Sequence, residues 1–137
     1  MSVGRLSVAI AAALVLMLAV PASAQAPKGG GRYLHDLMKQ PTYRNTWTRM
    51  LGKLGPRESW LKADKLAGPG GPSTIVTVGG RTFERADTCK RHDCGDNQFY
   101  VLFSSDGREA LGVLVQPGNM RFFGHPSEAQ QRALVGR

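Results

Sequence analysis

Five consecutive residues, Gly68-Pro69-Gly70-Gly71-Pro72, divide this chain into two parts with different rhythms. The prolines remove backbone donors and the glycines leave the backbone unconstrained, so neither a helix nor a strand should cross the segment. Before it, apolar residues recur at helical spacing; after it, the period is two. A chain that changes period once in this way is expected to be an α+β domain.

The first part reads as helical. Tyr33 to Met38 is a brief apolar-periodic stretch. Pro41 interrupts it and suits the first turn of a second helix. There Tyr43, Trp47, Met50, Leu51 and Leu54 share one face, a core stripe, while Arg44, Arg49 and Lys53 lie off it. Gly55-Pro56 is the predicted stop. Glu58 to Leu66 reads as a polar connection carrying Trp60 and Leu61.

The second part reads as sheet. Thr74–Val78 is a predicted strand, Gly79-Gly80 a tight hairpin turn and Arg81–Ala86 the return. Gln98–Phe103 is apolar on both faces, which predicts a central strand. Turns at Ser105–Arg108 and Pro117–Asn119 lead into Ala110–Val115 and Met120–Phe123. Connections this short predict an antiparallel meander of about five strands, with the helices packed on one face. Ser127 with Gln130 three residues on forms a capping box for a short last helix.

The N-terminus predicts export. Arg5, an apolar run from Val8 to Val20 and Ala22-Ser23-Ala24 make up a signal peptide over residues 1–24, cut after Ala24 or Ala26. The run is short for a membrane span, and no later stretch would cross a bilayer. Residues 25–32 read as a flexible lead and 33–137 as one domain, since about 110 mature residues support a single core. Eighteen Lys and Arg against ten Asp and Glu give a net charge of +8, and loss of Arg5 leaves +7. That balance permits a basic module for anionic polymers or lipid. The longest basic run is only Lys90-Arg91, however, and no nucleic-acid motif accompanies it.

Catalytic equipment is not legible. The chain carries no Gly-x-Ser-x-Gly elbow and no phosphate-cradling Gly-rich loop. Asp87, Asp93 and Asp96 sit among polar neighbours rather than in an apolar pocket that would raise a carboxyl pKa. His35 and His125 read as a helix-surface residue and a turn residue. Cys89, His92 and Cys94 are too close together to wrap a tetrahedral zinc without a second pair of ligands, so no metal or other cofactor is expected. The protein reads as a non-enzyme.

The chain has two cysteines, Cys89 and Cys94. In an oxidising compartment they should pair, and their spacing is not that of a thioredoxin-like redox motif. A bridge this short restrains the unfolded chain little, roughly 2 kcal/mol. It fixes the shape of Lys90-Arg91-His92-Asp93 instead, and that preorganisation lowers the ordering cost of binding. From spacing and charge alone, a stapled hairpin connection and a docking loop are both open.

Cys89-Lys90-Arg91-His92-Asp93-Cys94-Gly95 closely resembles the C-K-P-H-D-C-G loop of the Ivy family, periplasmic inhibitors of vertebrate (c-type) lysozyme. The order of elements, with Ser59-Trp60-Leu61 in the connection, matches over most of the mature chain. The resemblance implies a periplasmic inhibitor whose loop enters the lysozyme cleft. His92 would sit between the two catalytic carboxylates, Lys90 and Arg91 at the rim, and Asp93 against the cleft wall or bracing the loop. Monomer and homodimer both stay open. Two departures stand out. Arg91 replaces the family proline, and the chain is basic, as c-type lysozymes are. The second brings in another partner, a periplasmic lytic transglycosylase, which cuts the same peptidoglycan bond.

Overall fold

The central strand of the sheet is apolar on both sides because helices cover both sides. The structure, a computed structural model, describes residues 31–136. The expected signal peptide and residues 25–30 of the lead lie outside the described residues. Helices α1 (Leu34–Leu37) and α2 (Pro41–Leu51) and a 3-10 helix (Pro56–Leu61) come first. Strands β1 (Thr74–Val78), β2 (Arg81–Cys89), β3 (Gln98–Ser104), β4 (Ala110–Gln116) and β5 (Asn119–Phe123) follow, and α3 (Glu128–Val135) closes the order. The sheet is an antiparallel meander, β1-β2-β3-β4-β5, with β3 in the centre. The α+β class and the meander match the sequence reading.

The placement of all helices on one face does not hold. Side chains alternate across a strand, so β3 sends Phe99, Val101 and Phe103 to a core shared with Leu37, Trp47, Leu51 and Leu61. It sends Leu102 to the opposite face, where Phe83, Val113 and Leu134 of α3 form a second cluster. A strand with one wet face would alternate apolar and polar residues; β3 does not, and the last helix is the reason. Phe99, Val101, Leu102 and Phe103 have no exposed surface, and burial of each such side chain stabilises by about 1.5–3 kcal/mol.

Three boundaries also move. Helix α2 ends at Leu51, not at Gly55, because Gly52 takes a positive φ of 57° at its C-cap. Leu54 lies past the helix yet still packs on its core. Part of the polar connection is helical: Pro56 starts the 3-10 helix, whose Leu61 is fully buried. Trp47 ties it to α2, its indole Nε1 donating to the Leu61 carbonyl at 2.7 Å. Strand β2 runs on to Cys89, three residues beyond Ala86, because Asp87, Thr88 and Cys89 pair with Tyr100, Phe99 and Gln98. The Gly79-Gly80 turn is as expected, both residues having positive φ, as a two-residue hairpin loop of type I′ requires.

The end of the lead is held rather than free. Gly31 N–H donates to the Ser73 carbonyl at 2.7 Å, and Ser73 N–H to the Arg32 carbonyl at 2.8 Å. The Arg32 guanidinium pairs with the buried Glu84 carboxylate, which also accepts from the Ser73 hydroxyl at 2.6 Å. The hydrogen bond to Glu84 raises the Arg32 pKa. A second ion pair joins the layers at the far edge. Arg121 of β5 donates to both carboxylate oxygens of Glu58 at 2.6 Å.

That bond holds the Glu58 carboxyl below its ordinary value. A carboxyl depressed in the folded state stabilises above its unfolded pKa and loses that contribution as pH falls through the folded one. Glu58→Gln should therefore be less stable than wild type near neutrality. The gap should close as pH falls from about 5 toward 3, in urea denaturation followed by circular dichroism.

Candidate functional site

The cysteine loop leaves the sheet where β2 ends, and its base is built by the glycine-proline segment. Strand β1 pairs only with Arg81–Arg85. Beyond it, residues 68–71 lie against β2 in its place. Cys89 N–H donates to the Pro69 carbonyl at 3.1 Å, and Gly71 N–H to the Asp87 carboxylate at 3.3 Å. The approach is so close that a Cβ at Gly68 would stand 1.5 Å from the Cys89 carbonyl oxygen, and one at Gly70 2.2 Å from that of Asp87. Only glycine fits.

From this base the chain makes a four-residue turn. Asp93 N–H donates to the Lys90 carbonyl at 2.9 Å. Arg91 and His92 are the two central residues, and His92 has a positive φ of 65°. Among non-glycine residues of this loop only His92 does, so the turn is type II. The geometry shows what the departure at position 91 gives up. That position favours proline, whose ring presets φ, and Arg91 supplies no such restraint.

Inside the turn the Asp93 carboxylate accepts from Lys90 Nζ at 3.2 Å and from Asn97 Nδ2 at 2.8 Å. Asn97 is buried, and its carbonyl oxygen accepts from Gln116 Nε2 of β4 at 2.8 Å. Backbone bonds from Lys90 N–H to the Asn97 carbonyl and from Asn97 N–H to the Asp93 carbonyl complete the closure. Cys89 and Cys94 form the disulfide, with Cα atoms 4.9 Å apart. Asp93 thus braces the loop, and Lys90 turns to Asp93 rather than outward. Arg91 and His92 are exposed, and their side chains make no hydrogen bond or ion pair with the described residues.

The remaining polar candidates do not converge. Asp87 is committed to Gly71, and Asp96 is exposed on the flank of the loop. His35 stacks on Tyr33, and His125 lies at the other end of the sheet. Both loop sulfurs are in the bridge, which leaves no thiolate to bind a metal. Among the described residues no three His, Cys, Asp or Glu side chains are placed to hold one. Asn97 and Gln116 went unnoticed in the sequence. The Gly68 and Gly70 signal was visible, but only as a break.

Residues 42–133 match the family model described as Inhibitor of vertebrate lysozyme (Ivy). The chain belongs to this family. A relative from Pseudomonas aeruginosa, named Inhibitor of vertebrate lysozyme, is 30% identical, with 74% of each chain covered. An uncharacterized protein of Yersinia pestis is 32% identical over 58% of this chain and 51% of its own. Ivy proteins are inhibitors rather than enzymes. The resemblance first seen in the loop therefore extends over most of the domain, and the Ivy motif falls on the braced turn.

Two substitutions test this architecture in chemical denaturation. Gly68→Ala must push the segment off β2 and should cost about 2 kcal/mol or more. Arg91→Pro removes no hydrogen bond and matches the turn, so it should stabilise by about 0.4–1 kcal/mol.

Proposed function

We propose that this protein is an exported inhibitor of c-type lysozyme that inserts the Cys89–Cys94 loop into the enzyme's active-site cleft, with His92 against the catalytic carboxylates. One observation carries the reading. The motif histidine occupies the corner of a turn closed by a disulfide and by the Asp93–Asn97–Gln116 chain of hydrogen bonds, with its imidazole free and exposed. Membership in the Ivy family supplies the target class. The signal peptide read from the sequence supplies the compartment, the periplasm, where inhibition protects peptidoglycan. Among the described residues no helix is long and apolar enough to cross a membrane.

The chemistry follows from what a lysozyme needs. One carboxyl must be protonated to act as acid, and the other must be ionised to act as nucleophile or stabiliser. An imidazole offers two ring nitrogens, both donors when protonated. Seated between the two carboxyls, His92 would occupy both at once, while the loop excludes the sugar chain. Arg91, extended from the turn, would reach carbonyl or acidic groups at the rim. Because the bridge and the internal bonds fix the loop beforehand, little ordering entropy is lost on binding.

A lytic transglycosylase is the second target to test, on the ground of charge. The chain carries a net charge of +8 before loss of the signal, which disfavours long-range encounter with a basic lysozyme.

The measurement is lysis of cell walls by c-type lysozyme, beside a lytic transglycosylase, with the purified mature protein added. Wild type should suppress lysis, and His92→Ala should lose at least about tenfold of the inhibition, the scale of one lost charge-assisted contact. Stability should change by no more than about 0.5 kcal/mol, because the side chain is exposed. Equal inhibition by His92→Ala would remove His92 from the mechanism.

A further inference from the structure

We propose that the end of the sheet opposite the cysteine loop binds a phosphomonoester. A cleft of about 480 Å³ opens there between α2, the start of β2, the β3–β4 turn and the segment before α3. Arg49, Arg81, Arg108 and His125 line it, and among its lining residues Glu109 is the only carboxylate. Glu109 pairs with Arg81, Arg49 makes no ion pair among the described residues, and the carboxylate nearest Arg108 is Asp106 of its own turn, which lies outside the cleft lining. Arg49 is held in place by its own donors, Nη2 reaching the Thr46 hydroxyl at 3.3 Å and the Arg108 carbonyl at 2.8 Å. The Arg108 side chain is exposed and unpaired among the described residues.

A second observation comes from the backbone. His125 holds a left-handed conformation, φ 57°, directly before Pro126. Proline pushes the preceding residue toward extended backbone, so His125 is held against its local preference at the cleft wall. Strain of this kind, costing on the order of 1–3 kcal/mol, gathers at binding sites.

The charge selects the ligand class. A phosphomonoester carries about −1.5 to −2 at neutral pH, which suits a cleft lined by three guanidiniums and one carboxylate better than a singly charged carboxylate ligand does. The guanidinium fork also suits phosphate oxygens. The cleft is not purely polar, for Met50, Ala110 and Leu111 form part of its wall. An apolar wall beside a charged mouth takes a phosphate attached to a carbon body, and the volume lies within the usual range for small-ligand sites. Free sugar phosphates and the phosphate headgroup of a lipid share this chemistry.

The test is a nuclear magnetic resonance titration of the ¹⁵N-labelled mature protein with glucose 6-phosphate and with inorganic phosphate. Sedimentation with phosphatidylcholine vesicles, with and without phosphatidic acid, runs beside it. Glucose 6-phosphate should give saturable shifts at the amides of 107–109 and 124–125, and inorganic phosphate weaker ones. Arg108→Gln should weaken binding about tenfold, the loss of one charge-assisted contact, while Arg91→Gln at the far end leaves it unchanged. Sedimentation that needs phosphatidic acid and is lost in Arg108→Gln would support the site and name lipid as its source. No saturable shift with either soluble probe and no such sedimentation would overturn the proposal. So would equal effects of Arg108→Gln and Arg91→Gln, which would mean diffuse attraction to a basic surface.

Discussion

The backbone of residues 68–71 touches the backbone of β2 with no side chain between them. Much of the molecule depends on that contact. Gly68 and Gly70 let the chain come within reach of the Cys89 and Asp87 carbonyls, and Cys89 N–H finds its acceptor at Pro69. Without it, the last four residues of β2 would have an open edge, since β1 stops at the partner of Arg85. An open edge frays. The turn bearing Arg91 and His92 would then start from a mobile base, and its internal bonds would hold a shape with no fixed direction. The contact also fixes where the helical half of the chain enters the sheet.

The other end of that entry is secured by charge. Glu84 is buried on the α2 side of the sheet, a costly place for a carboxylate. Arg32 and the Ser73 hydroxyl both serve it, and Ser73 also exchanges backbone bonds with Gly31 and Arg32. The start of the domain and the residue leading into β1 are thus tied to one group in β2. A buried pair of this kind is weak evidence for net stability, because desolvation offsets most of its attraction. It does impose register: slipping β2 by one residue would put Glu84 on the α3 face, away from its partners.

Much of this was legible in the sequence. The change of period at Gly68–Pro72 located the sheet, the Gly79-Gly80 turn set the first hairpin, and Ser127 with Gln130 set the last helix. The failures have physical causes. Leu54 kept the helical rhythm past Leu51, but Gly52 had already ended the helix, and one glycine's backbone outweighs a periodic side chain. The two-sided burial of β3 was recognised as centrality without the step that a second helical layer must then exist. Helix α3 supplies it through Leu134. In the site, cysteine spacing and the motif marked the loop. Its brace was invisible because Asn97 and Gln116 are 19 residues apart and meet only when β3 pairs with β4.

The brace changes what the disulfide is for. A six-residue ring restrains the unfolded chain only weakly, and the turn already has three backbone bonds and a carboxylate that accepts twice. The bridge and the polar network are therefore partly redundant in holding the turn, and the redundancy matters at position 91. A family proline would preset the turn from within; here Arg91 leaves that to the network outside it. The exchange puts a long, charged, unpaired side chain beside His92, at the place where a basic protein meets its proposed target. Asp93 meanwhile pairs with Lys90, so the turn presents the Arg91 guanidinium and the His92 imidazole. In the proposed complex these two must favour an acidic cleft strongly enough to overcome the repulsion between two basic proteins. That places the selectivity in the last few ångströms of approach rather than in the encounter.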